Sequence, residues 1–223
     1  MVDIRRYEGF AEIPIERYDG LLIDLDDTLY RYEPCHRTGI DAAFSARDLG
    51  LDASSFARRY REARDAVTAR LEGQGACRSR LFAFQAMAET LGLDHGYDIA
   101  LELDHAYWNA FLGAMSVDVE ARDLLIRCQR HDLPVAVVTD MTAEVQIRKL
   151  RQLGLINLVD YIVTSEETGR EKPHPSMFEA ALRKLNIRAG RAVMVGDHLI
   201  KDIEGAASIG ISGALVVLKE VVA

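Results

Sequence analysis

Apolar and polar positions alternate in a regular way over the second half of this chain. Four short, nearly continuous apolar runs are typical of buried strands and predict strands at residues 133–138, 160–164, 191–195 and 212–217. Apolar residues at helical spacing precede or separate these runs and predict helices near residues 118–130, 143–153, 175–185 and 199–208. This alternation predicts a parallel sheet with helices on both faces.

The first half of the chain has a different pattern. One further apolar run predicts a strand at residues 20–25, and residues 1–17 before it are polar and weakly patterned, which suggests a surface lead-in. No strand pattern returns before residue 118. Helical spacing in that interval predicts four helices, near residues 40–48, 54–71, 79–91 and 97–112.

One crossover helix, at 118–130, is enough to join the first strand to the second, so residues 32–113 are surplus to the sheet. We therefore expect an α/β fold in two parts. Residues 1–31 and 114–223 would form a Rossmann-like, doubly wound parallel-sheet core, and residues 32–113 would form an all-helical cap subdomain.

Composition narrows the range of partners. The chain has 223 residues, of which 49% are hydrophobic and 28% charged, as in a soluble globular protein. A net charge of -8 argues against nucleic acid or an anionic membrane surface as a partner. The first residues lack the apolar stretch of a signal peptide, no run is long enough to span a membrane, and three scattered cysteines suit a reducing compartment. We expect a cytoplasmic protein.

Acidic residues follow the strand predicted at 20–25. Asp24 and Asp26 are two positions apart, at the carboxyl end of an apolar strand, where open α/β sheets bind ligands. Burial cannot neutralise both carboxylates, so they require a cation, and a hard divalent ion with oxygen ligands is the natural one. On this segment alone, a polar turn with a helix-capping aspartate remains the alternative.

Three further groups of polar residues follow along the chain. Thr139 and Asp140 follow the strand at 133–138, and Asp197 follows the strand at 191–195 with Asp202 five residues later. Lys172 lies between them, in a loop. These are a hydroxyl, a lysine and a second acidic pair, and all but the lysine lie at strand ends, as Asp24 and Asp26 do.

Four short motifs carry these residues: DLDDT at 24–28, VVTD at 137–140, EKPHP at 171–175 and GDHLIKD at 196–202. In this order and spacing they resemble the haloacid dehalogenase-like superfamily, most of whose members are magnesium-dependent phosphatases. The resemblance covers roughly residues 18–30 and 117–218. The segment between them matches the family only in being an all-helical insertion. It implies a helical cap that closes over the site, excludes water and selects the substrate.

The resemblance implies roles for the first motif. Asp24 would be the nucleophile that forms an aspartyl phosphate. Asp26, with a side chain free to swing toward the leaving oxygen, would be the general acid and base. Thr28 would fix the local geometry by hydroxyl hydrogen bonding, and Asp27 would support the turn without doing chemistry.

The resemblance also implies a Mg²⁺ site and a phosphate cradle. Asp24, the backbone carbonyl of Asp26 and Asp197 would hold the metal, and Asp202 would position a metal-bound water or Lys172. Phosphate would be bound by Lys172, by the Thr139 hydroxyl and by backbone amides, including those of Asp26 and Asp140. The Asp140 carboxylate is expected to turn away and cap the helix that starts near Thr142.

Substrate-selecting residues are harder to find by sequence. A basic face on one cap helix is expected to be solvated, and it consists of Arg58, Arg59, Arg61, Arg64 and Arg70. Arg78 and Arg80 are better candidates for facing the site. His198 is expected to be a partly exposed histidine, and Cys35 a small buried thiol.

The function predicted is a Mg²⁺-dependent phosphatase that hydrolyses a small-molecule phosphomonoester through an aspartyl phosphate. A phosphomutase would keep all four motifs and stays an alternative, whereas a binding protein on this scaffold would be expected to lose a catalytic residue. A dehalogenase would lack Asp26. A phosphonatase would use a cap lysine, and residues 32–113 contain none. Substrate identity and oligomeric state stay open.

Overall fold

The computed structural model describes residues 2–218. Within them, six strands form one parallel sheet in the order β1-β6-β5-β2-β3-β4. The strands are β1 (Ile4–Arg6), β2 (Gly20–Ile23), β3 (Val135–Thr139), β4 (Tyr161–Thr164), β5 (Ala192–Gly196) and β6 (Ser212–Leu215). The prediction of a doubly wound parallel sheet is confirmed, and the five predicted strands end within two residues of the observed ones.

The sheet separates two apolar cores because successive side chains of a strand point to opposite faces. In β2, Leu21 and Ile23 belong to the larger core, whereas Leu22 lies in the core on the other face. All three side chains are fully buried. Burial on both faces explains why the strand reads as a continuous apolar run.

The N-terminal segment is not a mere surface lead-in, so that prediction is wrong. Its three-residue strand β1 pairs with β6 and extends the edge of the sheet. Phe10 and Ile15 are buried in the larger core, and the Arg127 guanidinium donates to three backbone carbonyls of this segment. A strand of three residues is too short to produce a visible alternation, which is why the sequence pattern misses it.

Four helices follow β2: α1 (Tyr32–Ala46), α2 (Ala53–Arg70), α3 (Arg80–Thr90) and α4 (Gly96–Gly113). Helices α1 and α3 both contact α4, and α2 contacts α3. Helix α1 begins eight residues before its predicted start. Pro34 does not prevent this, because it lies in the first turn, where a proline is tolerated. Gly39 interrupts the apolar pattern of α1 because a Cβ there would come within 2.7 Å of the Tyr107 ring.

The remaining helices precede or separate the later strands: α5 (Val119–Arg130), α6 (Ala143–Gln152), α7 (Ser165–Thr168), α8 (Pro175–Leu185) and α9 (Gly205–Ala207). Short 3-10 turns lie at Phe10–Glu12, Ile15–Arg17, Gly75–Arg78, Ile156–Leu158 and Ala189–Arg191. No helix among residues 2–218 is long and apolar enough to cross a membrane.

The helix predicted at 199–208 starts as a π-helical turn, Leu199–Glu204, and only then continues as α9. The Asp202 carboxylate lies inside this turn and accepts the His198 N–H at 3.1 Å. It also lies against Gly196, where a Cβ would come within 2.4 Å of the Asp202 Oδ2. Such π turns are frequent at functional sites, and this one brings Asp202 to the carboxyl end of β5.

Candidate active site

Asp24 lies directly after β2, in the middle of the sheet. Its N–H donates to the Val195 carbonyl at 2.9 Å, which ties it to the end of β5. Its carboxylate accepts from the Lys172 Nζ at 2.5 Å and from the Thr28 Oγ1 at 3.2 Å, and the residue is only 6% exposed. Burial raises the pKa of Asp24 well above its ordinary value, although Lys172 opposes the shift.

Lys172 is a buried cation, 5% exposed, that reaches the site from the loop before α8. Its Nζ donates to Asp24, to the Val138 carbonyl at 2.9 Å and to the Asp202 Oδ1 at 2.7 Å. Burial alone would lower the pKa of Lys172, but the carboxylates of Asp202 and Asp24 outweigh burial and raise it. Lys172 is therefore held as a charged ammonium next to Asp24.

Three carboxylates gather at this point. One oxygen from each of Asp24, Asp197 and Asp202 lies within 4.8 Å of the others, and Thr28 bridges the first two by also donating to Asp197 at 3.3 Å. Burial, the Asp202 carboxylate and Asp27 raise the pKa of Asp197 to about 6. Lys172 pairs with two of the three carboxylates. The oxygen donors and the remaining negative charge fit a hard divalent cation.

The structure brings Asp24 and Asp197 together as the sequence predicts, and it adds Asp202 to the same cluster. Asp202 was expected to position a metal-bound water or Lys172, and its hydrogen bond to Lys172 agrees with the second of these roles. The carboxylate of Asp26 lies outside this cluster.

Asp26 is held by three side chains of the core. Its Oδ1 accepts from the Lys149 Nζ at 2.6 Å and from the Tyr30 hydroxyl in a short hydrogen bond, and its Oδ2 accepts from the Gln146 Nε2 at 3.3 Å. Burial would raise the pKa of Asp26, but these partners together lower it below its ordinary value. The expectation that this side chain is free to swing is therefore wrong for the observed arrangement.

Lys149 is a residue of the site that the sequence analysis misses. It is fully buried on α6, and its Nζ lies 5.3 to 5.8 Å from the ring centres of Tyr30, Tyr32, Trp108 and Phe111. Aromatic faces attract a cation at such distances. A signal was present, because Gln146 and Lys149 share the buried face of α6 with Val145 and Leu150. Two polar residues in an apolar stripe indicate a buried polar contact.

The predicted phosphate-binding residues lie beside the carboxylates. Thr139 is fully buried at the end of β3, and its Oγ1 accepts from the Gln146 Nε2 at 2.5 Å. The Asp140 carboxylate accepts from the Lys172 N–H at 2.9 Å and from the Lys201 Nζ at 2.8 Å. It does not cap α6, so that expectation is wrong.

The first turn of α6 is capped by a residue of α7. Glu166 accepts the N–H of Ala143 at 2.8 Å. The two carboxylate oxygens of Asp140 accept instead from Lys172 and Lys201.

Every predicted site residue except Thr28 lines one cavity of ≈ 270 Å³. Tyr32, Arg64, Arg78 and Arg80 form another part of its wall, contributed by residues 32–113. Both predicted candidates, Arg78 and Arg80, therefore face the cavity, and Arg64 was wrongly assigned to the solvated face.

Two residues left open by the sequence are also located. His198 lines the cavity, and its Nδ1 accepts the Lys201 N–H at 3.2 Å. Cys35 is a buried thiol of α1 that donates to the Arg31 carbonyl at 3.4 Å, and it does not line this cavity.

A doubly wound parallel sheet with acidic residues at the ends of its central strands defines a Rossmann-like α/β protein with a candidate site at the carboxyl ends of those strands. Residues 18–210 match the model of the haloacid dehalogenase-like hydrolase family, and the chain belongs to that family. The resemblance seen in the four motifs is thereby confirmed.

Individual proteins that resemble this chain include phosphatases and a solved structure of the same fold. The ribulose-1,5-bisphosphate 5-phosphatase of Halopiger xanaduensis is 40% identical over 88% of this chain and 83% of the relative. The glyceraldehyde 3-phosphate phosphatase of Methanopyrus kandleri is 31% identical over 84% of this chain and 78% of the relative. The fold is also that of the HAD-hydrolase YfnB from Bacillus subtilis bound to magnesium, with a TM-score of 0.69 and 22% identity, covering 89% of this chain and 88% of that one.

Proposed function

We propose that this chain is a Mg²⁺-dependent phosphatase that hydrolyses a phosphomonoester of a small sugar through an aspartyl phosphate on Asp24. The observation that carries the proposal is the buried contact between Asp24 and Lys172, next to Asp197, at the ends of the central strands. Phosphatase relatives named for ribulose 1,5-bisphosphate and glyceraldehyde 3-phosphate support sugar phosphates as the substrate class.

In the proposed mechanism, an Asp24 oxygen attacks phosphorus in line, and the bond from phosphorus to the ester oxygen breaks. Asp26, once it has taken up a proton and left its hydrogen bonds with Lys149 and Tyr30, gives that proton to the departing alkoxide. It then takes a proton from the water that attacks the aspartyl phosphate, so inorganic phosphate leaves and Asp24 is regenerated. Lys172 and the Thr139 hydroxyl bind phosphoryl oxygens and stabilise the charge that develops on them.

Mg²⁺ would be held by Asp24, Asp197 and the backbone carbonyl of Asp26, with Asp202 fixing Lys172 beside them. When bound, the ion supplies Lewis-acid stabilisation of charge on the phosphoryl oxygens. The donor set suits it, because Mg²⁺ prefers oxygen ligands and keeps several waters. Residues 32–113 would act as the cap, since this segment supplies Tyr32 and three arginines to the cavity wall.

The direct test is phosphate release from a panel of phosphorylated sugars by the purified protein with Mg²⁺. Steady turnover of one phosphomonoester is the expected result. If the protein instead interconverts isomeric sugar phosphates without releasing inorganic phosphate, it is a mutase and the proposal is wrong.

Removal of the metal is expected to abolish activity. Without a cation, Asp24 and Asp197 repel the phosphoryl group, so excess chelator should reduce phosphate release to background and Mg²⁺ should restore it. The measurement is phosphate release across a Mg²⁺ titration after chelation. Asp197→Asn is expected to need a higher Mg²⁺ concentration, whereas Asp160→Asn, at an exposed residue that does not line the cavity, should match the wild type. Full activity in excess chelator would contradict the metal requirement.

Replacement of Lys149 tests whether its hydrogen bond to the Asp26 carboxylate contributes to catalysis. In Lys149→Met the stem is retained and the ammonium is lost, so Tyr30 and Gln146 alone hold the carboxylate. We expect kcat to fall about 10-fold, less than the roughly 10²- to 10⁴-fold effect of losing a general acid outright, with a smaller change in KM. Steady-state kinetics measures kcat and KM, and thermal melting checks that the variant is folded. Lys184→Met removes a partly exposed lysine paired with Glu167 and is the matched control. Equal kcat values in the two variants would show that Lys149 does not support Asp26.

A further inference from the structure

The cavity wall contributed by residues 32–113 carries three arginines, and one of them is neutralised. Arg78 makes a paired contact with Glu171, with distances of 2.8 Å from Nε to Oε1 and 3.1 Å from Nη2 to Oε2. On the opposite wall, Lys201 is likewise paired with Asp140. These two cations are therefore already occupied by carboxylates of the protein.

Arg64 and Arg80 are not neutralised in this way. Within residues 2–218, neither guanidinium forms an ion pair with a carboxylate, and Arg64 makes no side-chain hydrogen bond. Arg80 is buried, and its guanidinium donates to the Arg78 carbonyl and the Tyr32 hydroxyl and contacts aromatic faces, which leaves its Nε without a partner. Two guanidiniums without a counter-charge thus border the same cavity.

The positive charges of Arg64 and Arg80 both act on the side chain of His36. His36 lies in α1, and burial followed by the positive charges of Arg80, Arg64 and Arg61 lowers its pKa to about 3. The imidazole, which hydrogen bonds with the Tyr107 hydroxyl at 2.7 Å, therefore contributes no charge at neutral pH. This end of the cavity is positive, whereas the end near Asp24 and Asp197 is negative until a cation binds.

We propose that Arg64, with Arg80 behind it, binds a second phosphate group of the substrate, so the enzyme acts on a sugar bisphosphate. The inference rests on the proposed phosphatase function. A phosphate monoester carries a charge near −2 and can balance the charges of two guanidiniums. A single carboxylate, with a charge of −1, balances only one. A planar guanidinium can also donate two parallel hydrogen bonds to phosphate oxygens.

The cavity size agrees with this substrate class. Its volume of ≈ 270 Å³ is close to the lower end of the roughly 300–1,000 Å³ range of small-molecule sites. A short sugar chain with a phosphate at each end suits such a cavity. One phosphate would lie at Asp24 and Lys172, where it reacts, and the other at Arg64, where it only binds.

The test compares a five-carbon sugar bisphosphate with the matching monophosphate as substrates. The wild type should prefer the bisphosphate, and Arg64→Met should lower the ratio of the two kcat/KM values about 10- to 100-fold, as expected for one lost charge-assisted contact. Arg64→Lys should retain part of the preference. Arg61→Met removes the same charge from an exposed position on the same helix, outside the cavity, and should leave the ratio unchanged within about twofold.

The other outcomes separate the two proposals. Release of phosphate from neither substrate, nor from an aryl phosphate, would overturn the proposed function. Equal turnover of both sugars, with the same ratio in wild type and Arg64→Met, would overturn the second phosphate site while the phosphatase stands. A preference for a phosphorylated sugar acid over the bisphosphate, lost in Arg64→Met, would mean that Arg64 binds a carboxylate and would overturn the assignment to phosphate.

Discussion

Asp24→Asn is expected to lower kcat by about four to six orders of magnitude while the protein stays folded. An amide does not attack phosphorus as a carboxylate does, so the aspartyl phosphate no longer forms. Stability should change little, because Asn keeps the shape of the side chain and Lys172 still pairs with Asp202 at 2.7 Å. Phosphate release measures the activity, and thermal melting checks the fold.

Trapping the phosphoenzyme gives an independent reading. Wild-type protein quenched during turnover should carry phosphate on the peptide that contains Asp24, and the variant should carry none. Asp27→Asn is the matched control, because it makes the same chemical change in the same loop. Asp27 has a φ of 62°, a left-handed conformation that Asn tolerates well. We expect a loss of less than about tenfold there. Phosphate mapped to a histidine or serine would rule out Asp24 as the nucleophile.

The fold was predictable where burial imposes a pattern. Strands buried on both faces are continuous apolar runs, so β2, β3 and β5 and the acidic residues at their ends could be placed from sequence. Strand β1 could not, since its three exposed residues gain their role only by pairing with β6. The start of α1 was also missed, because Gly39 looks like a helix breaker until Tyr107 is packed against it.

The residues of the candidate site likewise fall into those that could be predicted from the sequence and those that could not. Asp24, Lys172 and Asp197 lie next to strand ends or in a motif loop, so their proximity follows from the parallel sheet. Lys149 and Arg64 are different, because each lies inside a helix and its environment comes from helices distant in sequence. Helical spacing shows which face a residue occupies, but it does not show which neighbour covers that face.

Asp26→Ala is expected to slow turnover of an alkyl phosphate about 10²- to 10⁴-fold, the usual range for loss of a general acid and base. An aryl phosphate has an acidic leaving group that needs little protonation, so transfer to Asp24 should suffer least. Hydrolysis of the aspartyl phosphate still requires a base. With the aryl substrate the intermediate should therefore accumulate, and phosphoenzyme level and burst size measure it.

The contacts of Asp26 suggest a second explanation for any loss of activity in Asp26→Ala, namely a loss of structure, which can be tested separately. Its removal leaves Lys149 buried among aromatic rings without its carboxylate partner, so a general loss of structure could imitate a catalytic effect. Asp26→Asn separates the two, because an amide oxygen still accepts from Lys149 and Tyr30 but transfers no proton. If the acid–base role holds, both variants accumulate phosphoenzyme with the aryl phosphate. If Asn restores turnover, or if aryl and alkyl phosphates slow equally without accumulation, Asp26 supports the site through its hydrogen bonds and another group moves the proton.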